Sequence, residues 1–189
     1  MPSGEKNKNS RDNYRDLIAP VGIIPGLSDS DLLEVVQKQT FRFFWHGAHP
    51  VSGLAPERIT SVPVARFGDY IEKLQNEPQL DKAIPGSLNC SIGGTGFGIM
   101  ATIVAVERQW INREAAIYRL TKIVNFLNNA DSYHGIFPHM MDGNTGKTVP
   151  FGKLDDGADL VETSYLLMGL LCAGEYFIED TPAEKYLRQ

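Results

Sequence analysis

The chain has 189 residues, 42% hydrophobic and 22% charged, with 18 Lys+Arg against 23 Asp+Glu and a formal net charge of −5. That balance suits one globular domain with a real core and excludes the disordered and fibrous classes. There is no basic stripe to neutralise phosphates and no apolar run of roughly 18 residues, so neither a nucleic-acid partner nor a membrane span is expected.

Residues 1–27 open with "MPSGEKNKNSRDNYRD", which lacks the apolar core of a signal peptide and reads as a flexible N-terminal tail and entry segment; residues 28–189 read as one domain. A first helix is expected from Ser28, where Ser28 and Asp31 form a capping-box pattern and Leu32, Val36 and Phe43 recur at roughly helical spacing until Gly47. Residues 47–93 are rich in Pro and Gly and predict a long structured loop with one short helix at "DYIEKLQ". "TGFGIMATIVAVERQW" predicts a second helix, capped by Thr95 and apolar on most sides, which implies burial all round. "NREAAIYRLTKIVNFLNNA" predicts a third, capped by Asn112, with Ile117, Leu120, Ile123, Val124 and Leu127 on one stripe. Turn chemistry at Asp142-Gly143 and Asn144-Thr145-Gly146 suggests a short hairpin within 131–155. A fourth helix runs from 157 to about 179, and Pro182 begins a fifth. Cys90 and Cys172 have no metal-ligand spacing and read as buried thiols.

The fourth helix begins with "KLDDGADLVETSYLL". At about 100° per residue, Asp155, Asp159 and Glu162 share one face within roughly 60°. One reading is capping, with Asp156 at the N-cap, Asp159 completing a box and each acid opposing the macrodipole by about 0.3–1 kcal/mol. That leaves Glu162, deeper in an apolar helix, poorly explained. The other reading is a functional cluster, in which crowded and partly desolvated carboxylates serve as acid or base. Such a face could also ligate Mg²⁺ or Ca²⁺. Trp45, His46, Tyr133, His134, Phe137, His139 and Phe151 lie near the ends of the expected elements, and aromatic faces beside carboxylates suit a sugar's C–H faces and hydroxyls. His134, His139 and Asp142 match no standard metal spacing, so no metal and no cofactor are expected. "GGTGFG" and "GNTGKT" imitate nucleotide loops; the first lacks a preceding strand by this reading, and Pro150 blocks the helix that the second would need.

In order, "FRFFWHGAHPVSGLAPER", "GGTGFGIMATIVAVERQWINREAA", "YHGIFPHMMDGNTGKTVPFG" and "DDGADLVETSYLLMGLLCAGEYF" resemble the glucoamylase-like proteins of glycoside hydrolase family 144, over about residues 28–188. The resemblance implies an all-α bacterial enzyme with an (α/α)6 toroid, present here as an incomplete N-terminal portion, that cleaves β-1,2-glucan endo-fashion with inversion in the periplasm or outside the cell. It places Asp155, Asp159 and Glu162 as the catalytic acids, Glu162 or Asp159 being the general acid or base. Glu57, Arg58, His134, His139 and Asp142 would line the sugar cleft, with Trp45 and Phe151 as aromatic contacts. Met140 stands where the family pattern has Trp. Inversion needs a second carboxylate across the bond, which the resemblance places beyond the fifth helix. The alternative is a non-catalytic carbohydrate-binding or interaction fragment. Apolar faces on the open side of an incomplete toroid would favour self-association. Alanine at 159 or 162 is expected to leave stability unchanged.

Overall fold

The computed structural model describes residues 25–58 and 89–189. The helix expected at "DYIEKLQ" and nearly all of the 1–27 tail lie outside the described residues. The described part is mostly helical: α1 (Asp29–Trp45), α2 (Ile92–Glu107), α3 (Arg113–Leu127), α4 (Leu160–Tyr176) and α5 (Pro182–Leu187). Three short strands, β1 (Asn89–Ser91), β2 (Met140–Asp142) and β3 (Thr148–Val149), pair antiparallel in the order β1-β2-β3. Cys90 stands opposite Met141, and Met140 opposite Val149, so the hairpin expected in the 131–155 segment is present.

Each helix starts where a short polar side chain can take up a free amide. Ser28 caps α1, its hydroxyl accepting from the Asp31 N–H at 3.2 Å. Asn112 caps α3 and Thr181 caps α5, where Pro182 at the first helical turn loses no needed N–H. Two starts differ from the sequence reading. Ser91, not Thr95, caps α2, accepting from Gly94 N–H at 3.0 Å. Thr95 is instead buried, its hydroxyl accepting from Ala55 N–H at 3.0 Å and donating to Ser91 O at 2.7 Å. On α4 the cap is Asp159, not Asp156, because Asp159 N–H is held by Phe137 O at 2.8 Å, which keeps the preceding backbone extended.

The core is built from Leu54, Cys90, Ile92, Ile99, Leu120, Ile123, Met141, Leu166 and Phe177. It lies between α2, α3, α4 and the small sheet. α2 and α4 touch backbone to backbone: a Cβ added at Gly96 would lie 2.1 Å from Tyr165 O, and one at Gly169 would lie 2.4 Å from Gly96 O. α5 is locked to α3 by Glu184, fully buried, which accepts from Arg113 Nε at 2.8 Å and Nη2 at 2.9 Å while the guanidinium sits 4.8 Å from the Phe177 ring centroid. A planar fork on a carboxylate is among the strongest polar contacts, and this one fastens the last helix. α1 is held to α2 through Glu34, which accepts from Arg108 at 2.6 Å and from the Trp110 indole at 2.8 Å.

Burial departs from the sequence reading in three places. α2 and α4 are apolar all round but not buried all round: Phe97, Val104, Leu160, Val161, Leu167 and Leu171 are exposed, because the described elements cover only one side of each helix. α1 buries Phe41 among its apolar residues while Leu32, Leu33 and Val36 stay exposed. Cys172 is exposed; Cys90 is buried, and desolvation pushes its thiol up to about 12, so it is an inert core residue.

The helix crossing generates a prediction with two signs. Gly96→Ala should lower stability by about 1–3 kcal/mol or more, since the new methyl meets backbone that cannot rotate away. Gly174→Ala, in α4 and with nothing within 4 Å of its added Cβ, should gain up to about 1 kcal/mol from helix propensity. Chemical denaturation of the two variants checks both.

Candidate functional site

The loops before α4 fold so that three separate segments meet. A tight turn over 152–155 is closed by Phe151 N–H to Asp155 O at 2.8 Å and by reciprocal bonds between Gly152 and Asp155 at 3.2 Å, which sets Phe151 beside Asp155. The 137–139 strand end is held by Phe137 N–H to Thr163 Oγ1 at 2.9 Å and by the Pro138–Ala158 bridge. His139 therefore lies over the start of α4. Its ring stacks on Phe151, centroids 4.3 Å apart and planes 29° apart, and its Nδ1–H donates to Asp159 Oδ2 at 3.0 Å.

Asp159 works in two directions. Oδ1 accepts from Val161 N–H at 2.9 Å and Glu162 N–H at 3.0 Å, which caps α4, while Oδ2 receives His139. Burial by itself would raise its pKa; the Glu162 N–H, the His139 ring and the Val161 N–H outweigh that and hold it below the usual carboxylate range. Asp159 thus stays ionised at neutral pH and can position or accept, but holds no proton to give. Asp155 has a half-buried carboxylate with no side-chain hydrogen bond among the described residues. Ligand atoms of His139, Asp155 and Asp159 lie within 4.8 Å of one another, close enough to meet on one small cation or on one hydroxyl-rich group.

Glu162 faces elsewhere. Its Oε2 accepts from Gly93 N–H at 2.7 Å and from Ser91 Oγ at 3.2 Å, so this α4 side chain supports the first turn of the neighbouring α2. A Cβ at Gly93 would lie 2.8 Å from the same oxygen, so the glycine is what lets the carboxylate reach the amide. The "GGTGFG" segment does follow a strand, the three-residue β1, contrary to the sequence reading; its free amide is met by a carboxylate, not a phosphate. The shared helical face is corrected too. Asp155 and Asp159 precede α4, only Glu162 lies within it, and the two aspartates are brought together by a turn rather than by helical periodicity.

The other expected residues are scattered more widely. Glu57 and Arg58 run alongside β1, Glu57 N–H bonding Asn89 O at 2.9 Å, and they pair with each other at 3.6 Å. This places the "PER" segment near Ser91 and hence near Glu162. His134 stands exposed at the tip of a two-residue turn closed by Tyr133 and Ile136, where it and Gly135 both take positive φ, 52° and 82°. Asp142 pins the next turn, its Oδ1 accepting from Asn144 N–H at 2.8 Å and Thr145 N–H at 2.9 Å. Trp45 stacks on Phe41 at 5.6 Å and carries the Arg119 guanidinium 4.5 Å above its ring, with no contact to the acids among those described. Met140 is buried in β2. The sequence reading missed Ser91 and Gly93 as partners of Glu162, although Ser91, three residues before Gly94, has the spacing of an N-cap.

Comparison with known proteins gives a consistent picture. No family model matches the chain. It is 42% identical over 164 residues to the exo β-1,2-glucooligosaccharide sophorohydrolase (non-reducing end) of Parabacteroides distasonis, covering 86% of this chain and 19% of that one. Among solved structures it matches the endo-β-1,2-glucanase of Chitinophaga pinensis in complex with sophorotriose and glucose, at TM-score 0.72 and 43% identity, over 86% of this chain and 35% of that one. A glucoamylase-like protein of Bacteroides uniformis matches at TM-score 0.72 and 45% identity, over 87% and 35%. The chain therefore spans about a third or less of the length of these relatives, which are helical-toroid enzymes.

The capping bonds overturn the expectation that these acids are dispensable for stability. Asp159→Ala should cost about 0.5–2 kcal/mol as a lost N-cap, and Glu162→Ala about 1–2 kcal/mol as a lost charged acceptor. For Asp159 the sign follows from its lowered folded pKa: the stabilisation is present above the unfolded value of about 3.9 and is lost as pH falls through the folded one. The stability gap between wild type and Asp159→Ala, measured by urea denaturation, should be wide at pH 7 and close below about pH 4.

Proposed function

We propose, from its likeness to part of the glucoamylase-like β-1,2-glucan hydrolases, that this chain forms one wall of a glucan-cleaving site whose reacting carboxylate is Asp155. The observation that carries the reading is the stack of Phe151 on His139, His139 donating to an ionised Asp159, with Asp155 alongside and uncommitted. A ring, an imidazole and two carboxylates on one patch can hold a glucosyl unit by its C–H face and its hydroxyls. The sequence reading favoured Glu162 or Asp159 as the acid or base. Asp159 gives Oδ1 to two amides and Oδ2 to His139, and Glu162 gives Oε2 to Gly93 N–H and the Ser91 hydroxyl, so the role of drawing a proton from water passes to Asp155, with Asp159 and His139 orienting the sugar.

Inverting hydrolysis needs two carboxyl groups about 6.5–9.5 Å apart on opposite sides of the bond. Asp155 and Asp159, within 4.8 Å of each other, are too close to leave room for a water between them. They act as a unit on one side, and the proton donor belongs on the facing wall. Endo-action, inversion and export to the periplasm or beyond are part of this proposal. A binding-only reading is favoured by one observation, that two of the three acids are occupied in capping. We also propose that the exposed apolar strip on α2 and α4 promotes self-association.

Incubation with linear β-1,2-glucan beside a binding titration separates these readings. Hydrolysis predicts released reducing ends that Asp155→Asn abolishes while Tm stays nearly unchanged; normal turnover by that variant would sink the assignment. Saturable binding with no reducing ends would select the binding-only reading. Activity should survive EDTA, and loss that Mg²⁺ or Ca²⁺ restores would instead assign His139, Asp155 and Asp159 to a cation. Sedimentation velocity should show concentration-dependent association that Leu167→Lys with Leu171→Lys removes.

A further inference from the structure

The polar side of α3, opposite the face that carries Leu120, Ile123 and Leu127 into the core, borders a cavity of about 540 Å³. Tyr118, Thr121, Asn125 and Asn129 form its helical wall, and the 142–146 turn faces them with Asn144 and Thr145. Asp142 holds that turn in place through the backbone of Asn144 and Thr145, leaving the Asn144 amide unused by the protein among the described residues.

The lining chemistry is selective. Asn125 Oδ1 accepts from the Tyr186 hydroxyl, Asn129 Nδ2 donates to Asn125 O and Thr145 Oγ1 donates to Asp142, which leaves the Asn125 Nδ2, the Asn129 Oδ1 and the whole Asn144 amide to face a ligand. Val51 and Phe126 add apolar surface, Tyr118 is 73% exposed, and among the described residues no carboxylate lines the cavity. The hydroxyl of Thr121 is buried and makes no hydrogen bond, the sole buried side-chain atom in that condition among the described residues. Lys122 is the one charged lining group among the described residues, and its ammonium already donates to the Pro50 carbonyl. The walls also draw on the middle and C-terminal half of α3, where the helix dipole presents its negative end. A phosphate or carboxylate ligand would meet a single ammonium that is shared with a backbone carbonyl, and a cation would meet no anion among the described lining residues. Amides, hydroxyls and an open aromatic face instead match a neutral polyhydroxylated ring.

We infer that this cavity is a second saccharide site, for an uncharged oligosaccharide, sharing no residue with the acid cluster. It would hold a glucan chain against the outer face of the domain without acting on it. The inference does not rest on the hydrolytic reading, since a binding module would use it equally.

The test is an NMR titration of the ¹⁵N-labelled full chain with sophorotriose, following the side-chain amide signals of Asn125, Asn129 and Asn144, with inorganic phosphate as the comparison probe. Saturable shifts of these amides at millimolar sugar are expected in wild type and in Asp155→Asn. Tyr118→Ala and Asn144→Ala, each checked for unchanged Tm, should each weaken that response at least several-fold. Tyr118 is mostly exposed and the Asn144 side chain bonds nothing among the described residues, so neither change threatens the fold. Shifts confined to residues around the acid cluster, no shifts up to tens of millimolar, an undiminished response in both variants, or phosphate replacing sugar as the effective probe would each overturn it.

Discussion

The backbone contact between α2 and α4 is the constraint on which the rest of the molecule depends. Gly96 and Gly169 carry no side chain where the two helices cross, so Tyr165 O and the Gly96 backbone come within reach of each other. Any larger residue would push the axes apart. At that separation the N-terminal ends of both helices arrive side by side, and a carboxylate on one can serve the amides of the other. Glu162 does this through Gly93, another position where only hydrogen leaves enough room. Close packing of small residues thus creates the electrostatic arrangement of the site, and does so before any ligand is considered.

Two positive helix ends side by side explain why acids gather at this point. Asp159 meets the start of α4 and Glu162 the start of α2, each accepting from N–H donors of that first turn. Capping and function are therefore not rival accounts of the same residues. Capping fixes two carboxylates in orientation, and Asp159, with His139 between it and Phe151, is the surface against which Asp155 is left uncommitted. The division of labour follows from how many lone pairs each oxygen has already given to the backbone.

Much of this was legible in the chain. Helix starts can be read from polar caps before periodic apolar runs: Ser28 and Asn112 do cap their helices, while Thr95 and Asp156 give way to Ser91 and Asp159. The sequence grouped the acids with His139 and Phe151, and the structure brings Asp155, Asp159, His139 and Phe151 together while Glu162 faces Gly93. What misled was periodicity. It placed Asp155 and Asp159 on a helical face because their spacing fits one, whereas the Phe137 carbonyl holds Asp159 N–H and keeps the backbone extended until Leu160. Composition also assigned full burial to α2, because it reports which faces prefer to leave water and not which neighbours are present to cover them.

The sequence by itself determined the helical class, the order of the elements, the acidic patch at the mouth of the fourth long helix and the kinship to glucan hydrolases. These depend on local propensity and on patterns that survive without coordinates. Only the tertiary structure decided what each acid does: that Glu162 spans to Gly93 and Ser91, that Asp159 is shared between its own helix and His139, that Trp45 is taken by Arg119, and that polar α3 side chains meet the Asn144 turn around a cavity. Those assignments join residues tens of positions apart. A side chain's role is set by which atoms stand within about 3 Å of it, and no one-dimensional spacing specifies that.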